Sequence, residues 1–358
     1  MKTIFHDIVE LLNQDQSFVL ATVIDRSGSA PRAMGARMAA LSDGSIRGTI
    51  GGGLLEGQVR EIVPQVFQNR QTLTKEFRMT GKGFSKADPE MICGGRAEVL
   101  VEFVDGGQSA QRKLYQALLS AIDGGQAAQL ITAIPAQAGG AVGVCVVLAD
   151  GSTVTAGAPV GDAGQVKALA ESASRHTPEL MKRNEKRFLV ETISDQGTVY
   201  IFGGGHIGQK LAPLCGTVGF KTVVLDDRPD YANRDVFDSP DRVLLIDTFE
   251  HALQNVELDE NSYVVIVTRG HLHDTTVLRQ VLQTKAAYIG MIGSRRKRDL
   301  IYQKLMGEGV TAETIARVCS PIGVPIGGET PEEIAVSIAA EMIKVRAERR
   351  GVGLHPSG

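Results

Sequence analysis

The stretch VYIFGGGHIGQKLA, residues 199–212, constrains this chain more than any other. An apolar run breaks on three glycines and resumes with helical spacing, which is how a nucleotide-binding turn is written. Gly203, Gly205 and Gly208 satisfy G-x-G-x-x-G, and the next apolar run ends on Asp226 and Asp227. An acid at that distance can bind a ribose hydroxyl, while the glycines let the backbone and the helix N-terminus approach a pyrophosphate. The turn therefore reads either as a site for a nucleotide-type ligand or as a structural glycine turn. His206, inside it, is either a ligand contact or a first-turn surface residue. Whether the ligand is a redox nicotinamide is left open by this stretch alone.

Beyond the turn, strands and helices alternate. Strand TVYIF, helix HIGQKLAPLCGTVG and strand KTVVLDD lead to strand VLLID, a helix, strand SYVVIVT, a helix, strand AAYIGMIG and a helix. Such alternation predicts a doubly wound parallel sheet of Rossmann-like type. Its domain is expected over residues 196–345, with a tail at 346–358 and an N-terminal α+β domain over 1–195.

The N-terminal part shows a period. A helical pattern at 4–12, an apolar strand FVLATVI at 18–24 and a hairpin turning at Asp43-Gly44 return as KLYQALLSAI, QLITAI and a hairpin turning at Asp150-Gly151. Leu20, Thr22 and Ile24 align with Leu130, Thr132 and Ile134 at an offset of 110, and the two turns at 107. This reads as an internal duplication, with two unrelated α-β-hairpin units as the alternative. The first copy alone carries RSGSAPRAMG and GGGLLEGQVREIV, so any chemistry of this half is expected there. FLVETI, before the boundary near 195, reads as its last strand.

Bulk properties exclude some classes. A formal net charge of −3 gives no electrostatic case for nucleic acid or an anionic membrane as partner. No apolar run approaches the roughly 18–20 residues of a spanning helix. The acidic residues within MKTIFHDIVELLNQDQ argue against a signal peptide, so the expected location is the cytoplasm. The four cysteines are Cys93, Cys145, Cys215 and Cys319, far apart and without CxxC spacing, which argues against a structural zinc site or a disulfide framework.

Several further loops bear polar chemistry. TRGHLHDTTVL, with Arg269, His271, His273 and Asp274, lies where a parallel sheet opens its ligand crevice, although neutral imidazoles in a solvated loop explain it more simply than a metal does. GSRRKRDLI sets Ser294 as an N-cap ahead of Arg295, Arg296, Lys297 and Arg298. Cations in a first helical turn oppose the helix dipole, so this pattern suits a bound anion or else a solvated basic face. Thr330 and Glu333 form a capping box with Pro331 at the first helical position. In the first half, Gly51, Gly52 and Gly53 open GGGLLEG, which ends on Glu56 and Gly57; free N–H groups there hold an anion, or the glycines merely make a tight turn into a helix. Arg32 follows Pro31, a guanidinium beside a rigid turn. Cys93 precedes Gly94, Gly95 and Arg96, a setting that lowers a thiol pKa or else a small buried residue at a strand bulge. The other three cysteines sit in apolar contexts and read as packing residues.

Taken together, GSAPRAMGARM, GTIGGGLLEG, MICGGRAEVLVE, IFGGGHIGQ, VLDDRPDYAN, VIVTRGHLHD, YIGMIGSRRKR and PIGVPIGGETPEEIAVSIAAEMI resemble, in order, the XdhC/CoxI family of xanthine dehydrogenase accessory factors. The resemblance implies a chaperone that binds and protects the molybdenum cofactor, a molybdopterin in mono- or dinucleotide form. It implies support of cofactor sulfuration with a cysteine desulfurase, delivery to a xanthine dehydrogenase-type molybdenum hydroxylase, and self-association as a homodimer. Under it, the pyrophosphate of a dinucleotide form would lie at Gly203–Gly208, and Cys93, Arg32 and the 51–57 loop would face the metal end, with Cys93 holding sulfur or touching molybdenum. The alternative reading is an NAD(P)-dependent oxidoreductase using the Rossmann-like domain.

Overall fold

The computed structural model describes residues 4–28, 33–78, 95–174, 177–194 and 196–349, in two compact units, Lys2–Ser194 and Asp195–Gly358. In the first unit, α1 (Ile4–Asn13) buries Phe5, Ile8, Val9, Leu11 and Leu12, an apolar face set by their spacing. β1 (Phe18–Ser27), β2 (Arg37–Ala40), β3 (Ile46–Gly48), α2 (Gly53–Asn69), β4 (Leu73–Arg78) and β5 (Arg96–Val104) follow. Then the series repeats as α3 (Ser109–Asp123), β6 (Ala128–Ile134), β7 (Gly143–Val147), β8 (Thr153–Gly157), α4 (Ala163–Ser172), β9 (Glu179–Arg183) and β10 (Lys186–Ile193).

Both series make a five-stranded antiparallel sheet with the same connectivity, β3-β2-β1-β5-β4 in one and β8-β7-β6-β10-β9 in the other. The topology therefore repeats where the sequence does. Even the hairpin turns match: Asp43 accepts the N–H of Ser45 and Asp150 that of Ser152, each at 2.8 Å. One apolar core joins the copies, with α1 and α3 packed together and flanked by Leu20, Leu100, Leu130 and Leu189 from the two sheets. The opposite faces are covered separately, one by α2 through Leu55, Val59, Val63 and Val66, the other by α4 through Val166 and Leu169. This double covering explains why β1 is buried on both faces over its first seven residues.

The second unit is a six-stranded parallel sheet in the order β13-β12-β11-β14-β15-β16. Its elements are β11 (Thr198–Phe202), α5 (His206–Thr217), β12 (Lys221–Asp226), β13 (Arg242–Leu245), β14 (Ser262–Ile266), α6 (His271–Val281), β15 (Tyr288–Met291), α7 (Arg295–Gly307), α8 (Ala312–Ile315), β16 (Val318–Cys319) and α9 (Pro331–Arg349). β14 and β15 are buried throughout, because α6 and α7 pack on one face and α5 and α9 on the other. The chain runs outward from β11 to β13 and returns to β14 on the other side of β11. That reversal opens a crevice at the carboxyl ends of β11 and β14.

Two expectations change. Where a helix was expected between β13 and β14, a single 3₁₀ turn spans Phe249–His251, and the irregular chain after it still packs Ala252, Leu253, Val256 and Leu258 onto the core. The sheet also gains β16, a two-residue edge strand too short to leave a periodic signal.

Candidate functional site

The glycine turn closes the crevice at the end of β11. A Cβ on Gly203, which sits at φ 122°, would lie 2.3 Å from the Val267 carbonyl, and one on Gly208 would lie 2.2 Å from the Gly203 carbonyl. These two glycines let helix and strand pack at van der Waals distance. Gly205 differs: it caps α5, and a Cβ there would meet nothing within 4 Å. Open space therefore lies beside the start of α5, whose first-turn N–H groups have no partner inside the helix.

That space is a cavity of about 370 Å³ lined by Gly205, His206, Arg228, Tyr231, Thr268 and Arg269 among others. Arg228 and Tyr231 follow the Asp226-Asp227 pair and were not singled out from the sequence. The signal that could have found them is RPDY directly after the acids. The guanidinium of Arg228 stacks on the Tyr231 ring, 3.7 Å from its centroid.

The two acids have partners other than those expected. Asp226 is 1% exposed and accepts from the Gly204 N–H at 2.8 Å, from the Arg228 N–H at 3.0 Å, and from Arg228 Nε and Nη2 at 2.8 and 2.9 Å. Burial pushes its carboxyl up, but the hydrogen bonds from Arg228 and Gly204 outweigh that and hold it below the usual range. Asp227 takes both donor ends of Arg269, at 2.5 and 2.8 Å. Neither acid stands as the open acceptor that a ribose hydroxyl would need; both instead orient an arginine.

The neighbouring loops are tied down by a second buried acid. Asp274, 0% exposed, accepts from the Thr268 N–H and hydroxyl and from Lys297 Nζ, which ties the loop after β14 to the first turn of α7. His273 packs against Phe249, with ring centroids 5.2 Å apart, and His271 is the exposed first residue of α6. HLHD is thus structural at its Asp, and among the described residues no group of three His, Cys, Asp or Glu is placed to hold a metal. Ser294 caps α7 by accepting the Lys297 N–H at 3.3 Å. Of the four cations that follow it, Lys297 is engaged with Asp274 and Arg298 with Asp299 and the Ser320 carbonyl, while Arg295 and Arg296 are exposed. The Thr330–Glu333 capping box forms, with reciprocal bonds of 3.0 and 3.3 Å.

In the first unit, the Gly51–Gly53 loop is held from within. Glu56 reaches back from α2 and accepts the Ile50 and Gly52 N–H groups at 3.1 and 2.8 Å, together with the Thr49 hydroxyl. Burial pushes the Glu56 carboxyl up, and these bonds more than offset it. A carboxylate seated on those amides competes with an anion, which corrects the expectation that the loop's N–H groups stand free. Cys93, Gly94 and Arg32 lie outside the described residues. Gly95 leads into β5, whose first residue, Arg96, pairs with Asp25 at 2.8 Å and Glu76 at 3.0 Å. Cys145 and Cys215 are buried, and burial pushes the Cys215 thiol up to about 12. Cys319 is partly buried, its thiol raised to about 11. These are packing thiols.

Residues 199–342 match the XdhC Rossmann domain, and residues 11–78 match the XdhC and CoxI family. The chain belongs to the XdhC and CoxI family. Relatives of this XdhC-type chain run over nearly its whole length. A Bacillus subtilis protein described as a probable xanthine dehydrogenase subunit is 26% identical, over 96% of this chain and 97% of its own. The molybdenum cofactor insertion chaperone PaoD of Escherichia coli is 22% identical, over 96% of this chain and 88% of its own. The YqeB protein of Escherichia coli is 26% identical over 99% of this chain, which spans 49% of YqeB. In fold, the XdhC-type chain resembles a crystal structure of a Bacillus halodurans protein described as a xanthine dehydrogenase, with a TM-score of 0.79 over 98% and 97% of the two chains at 23% identity. No helix among the described residues is long and apolar enough to cross a membrane.

Proposed function

We propose that this chain is an accessory protein in molybdoenzyme maturation: it binds the molybdenum cofactor, protects it, and delivers it to a xanthine dehydrogenase-type hydroxylase. Family membership and the relative named an insertion chaperone support the reading. The observation that carries it is the cavity beside Gly205, where two guanidinium groups and the start of α5 converge on one space. Those donors suit the phosphate of a pterin cofactor, because bidentate guanidinium bonds and helix N–H groups both favour oxyanions. The bound cofactor would supply the metal chemistry of its target enzyme. The chain's own residues bind and orient: Gly203, Gly205, His206 and Gly208 shape the approach, and Arg228 and Arg269 donate.

In the same proposal, sulfuration is assisted with a cysteine desulfurase, Cys93 handles the transferred sulfur, and the protein acts in the cytoplasm as a homodimer. The test is purification of the full chain from cells that make the cofactor, followed by oxidation and pterin fluorescence. Near-stoichiometric pterin is expected. A protein without pterin that instead binds reduced nicotinamide saturably and turns over a carbonyl compound would be an NAD(P)-dependent oxidoreductase.

A further inference from the structure

The way the two acids and two arginines are layered says what kind of ligand end the crevice accepts. In each pair the carboxylate is the inner member and the guanidinium the outer one. Side-chain exposure is 1% for Asp226 against 29% for Arg228, and 12% for Asp227 against 39% for Arg269. An acid at the end of the second strand of such a unit takes a ribose diol when it stands open, and an arginine nearby takes a phosphate. Here both carboxylates are covered. Two of the guanidinium donors of Arg228 are spent on Asp226 and two of those of Arg269 on Asp227, so each retains further N–H groups. Both arginines line the cavity, and Arg228 is held flat by Tyr231.

We propose that the crevice selects a ligand ending in a phosphate monoester, gripped by Arg228 and Arg269, and rejects one that ends there in a free ribose diol. The inference rests on the reading of this cavity as the ligand site and adds what the site discriminates. Asp226 is the positioning residue for Arg228, and Arg228 is the specificity-determining one. A diol arriving over β12 meets donors without an open carboxylate, and its own approach is blocked by the stacked guanidinium. A phosphate dianion meets two cations and accepts from both.

The experiment uses the full chain and nucleotide pairs that differ by one phosphate: NADP⁺ against NAD⁺, and adenosine 2′,5′-bisphosphate against 5′-AMP. Calorimetry is expected to show the 2′-phosphorylated member of each pair bound on the order of tenfold tighter or more, the worth of one added charge-assisted contact. Arg228→Ala uncovers Asp226, so NAD⁺ should gain affinity and the preference should vanish or invert. If that variant does not fold, Arg269→Ala carries the test, and the preference must fall severalfold. Equal or better binding of the diol member, no binding of any of the four, or a preference unchanged in the variant overturns the proposal. Pterin content is measured on the same preparations. Pterin without phosphate preference sinks only this inference; phosphate preference without pterin sinks only the chaperone reading.

Discussion

Arg37 and Glu191 stand 154 positions apart and meet as a doubly bonded ion pair between the two sheets of the first unit, one contact at 3.0 Å and the other shorter. Their side chains are 4% and 2% exposed. Arg37 also donates to the Gly35 carbonyl at 2.8 Å and lies over the Phe5 ring. Set against the repeated strand order of the two sheets, this pair is lopsided. Glu191 faces Leu130 across β6 and β10, and Glu102 faces Leu20 across β1 and β5, so the two acids occupy equivalent places. Arg37 pairs with Thr22, but the equivalent partner of Thr132 is Val144. One cation serves two carboxyls.

Removing either member of the pair should be costly. Arg37→Met strands a buried carboxylate, and Glu191→Gln strands a buried guanidinium, each at roughly 3–5 kcal/mol. The double variant R37M/E191L should recover most of that. Urea denaturation of the full chain checks both, and single-variant losses under about 1 kcal/mol would show that the pair is not held as described.

Glu102 is the acid left short. Burial pushes its carboxyl up to about 7 although the charge of Arg37 pulls the other way. A folded-state pKa above the ordinary 4.5 means that the native protein keeps a proton which the unfolded chain gives up. Stability contributed here is full below about 4.5 and lost as pH rises through about 7, an effect on the order of 3 kcal/mol. Glu102→Gln removes the titration, so the variant should be more stable than the parent at pH 8 and about equal at pH 4.5. Denaturation midpoints at the two pH values decide it; parallel profiles would refute it.

Gly208→Ala places a Cβ 2.2 Å from the Gly203 carbonyl, against backbone that cannot yield cheaply. The second unit should lose at least 1–3 kcal/mol by the usual cost of overpacking, while the first unit keeps its own transition. Two-phase melting curves, with only the second-unit phase moving, are the expected record.

Among the cations that open α7, Lys297 and the exposed pair should behave differently. Lys297→Met leaves Asp274 buried without its ion partner and should cost several kcal/mol. Arg295→Ala and Arg296→Ala, at exposed positions, should fall within about 0.5 kcal/mol of the parent. Similar melting temperatures for all three variants would count against the Asp274 tie.

Cys93→Ala tests the sulfur role that the family resemblance implies for this residue. Activity of a co-expressed xanthine dehydrogenase-type hydroxylase should drop with this variant and recover when sulfide is supplied chemically. Unimpaired maturation would remove Cys93 from the scheme.

Local features were legible in the sequence because their causes are local. TVYIF is β11 residue for residue, both Asp-Gly hairpins form, and Ser294 and the Thr330–Glu333 box cap their helices as the spacing required. What escaped was decided by distant partners or by weak pattern. α4 buries only Val166 and Leu169, too few positions to stand out as a period. The acids after β12 looked like ribose ligands because nothing in DDR says that Arg228 folds back over its neighbour, or that Arg269, 42 positions away, returns to Asp227. Likewise, nothing in GGGLLEG says that the Glu56 carboxylate occupies that loop's amides.

The core that joins α1 and α3 draws on both sheets at once. Neither repeat could live as a hermit: parted from its sibling, each would show water a greasy wall the size of its own sheet. What covers that wall is the other repeat, tied to it within one chain. Snipped between Val104 and Ser109, the two pieces of the first unit should find and mend one another in a test tube.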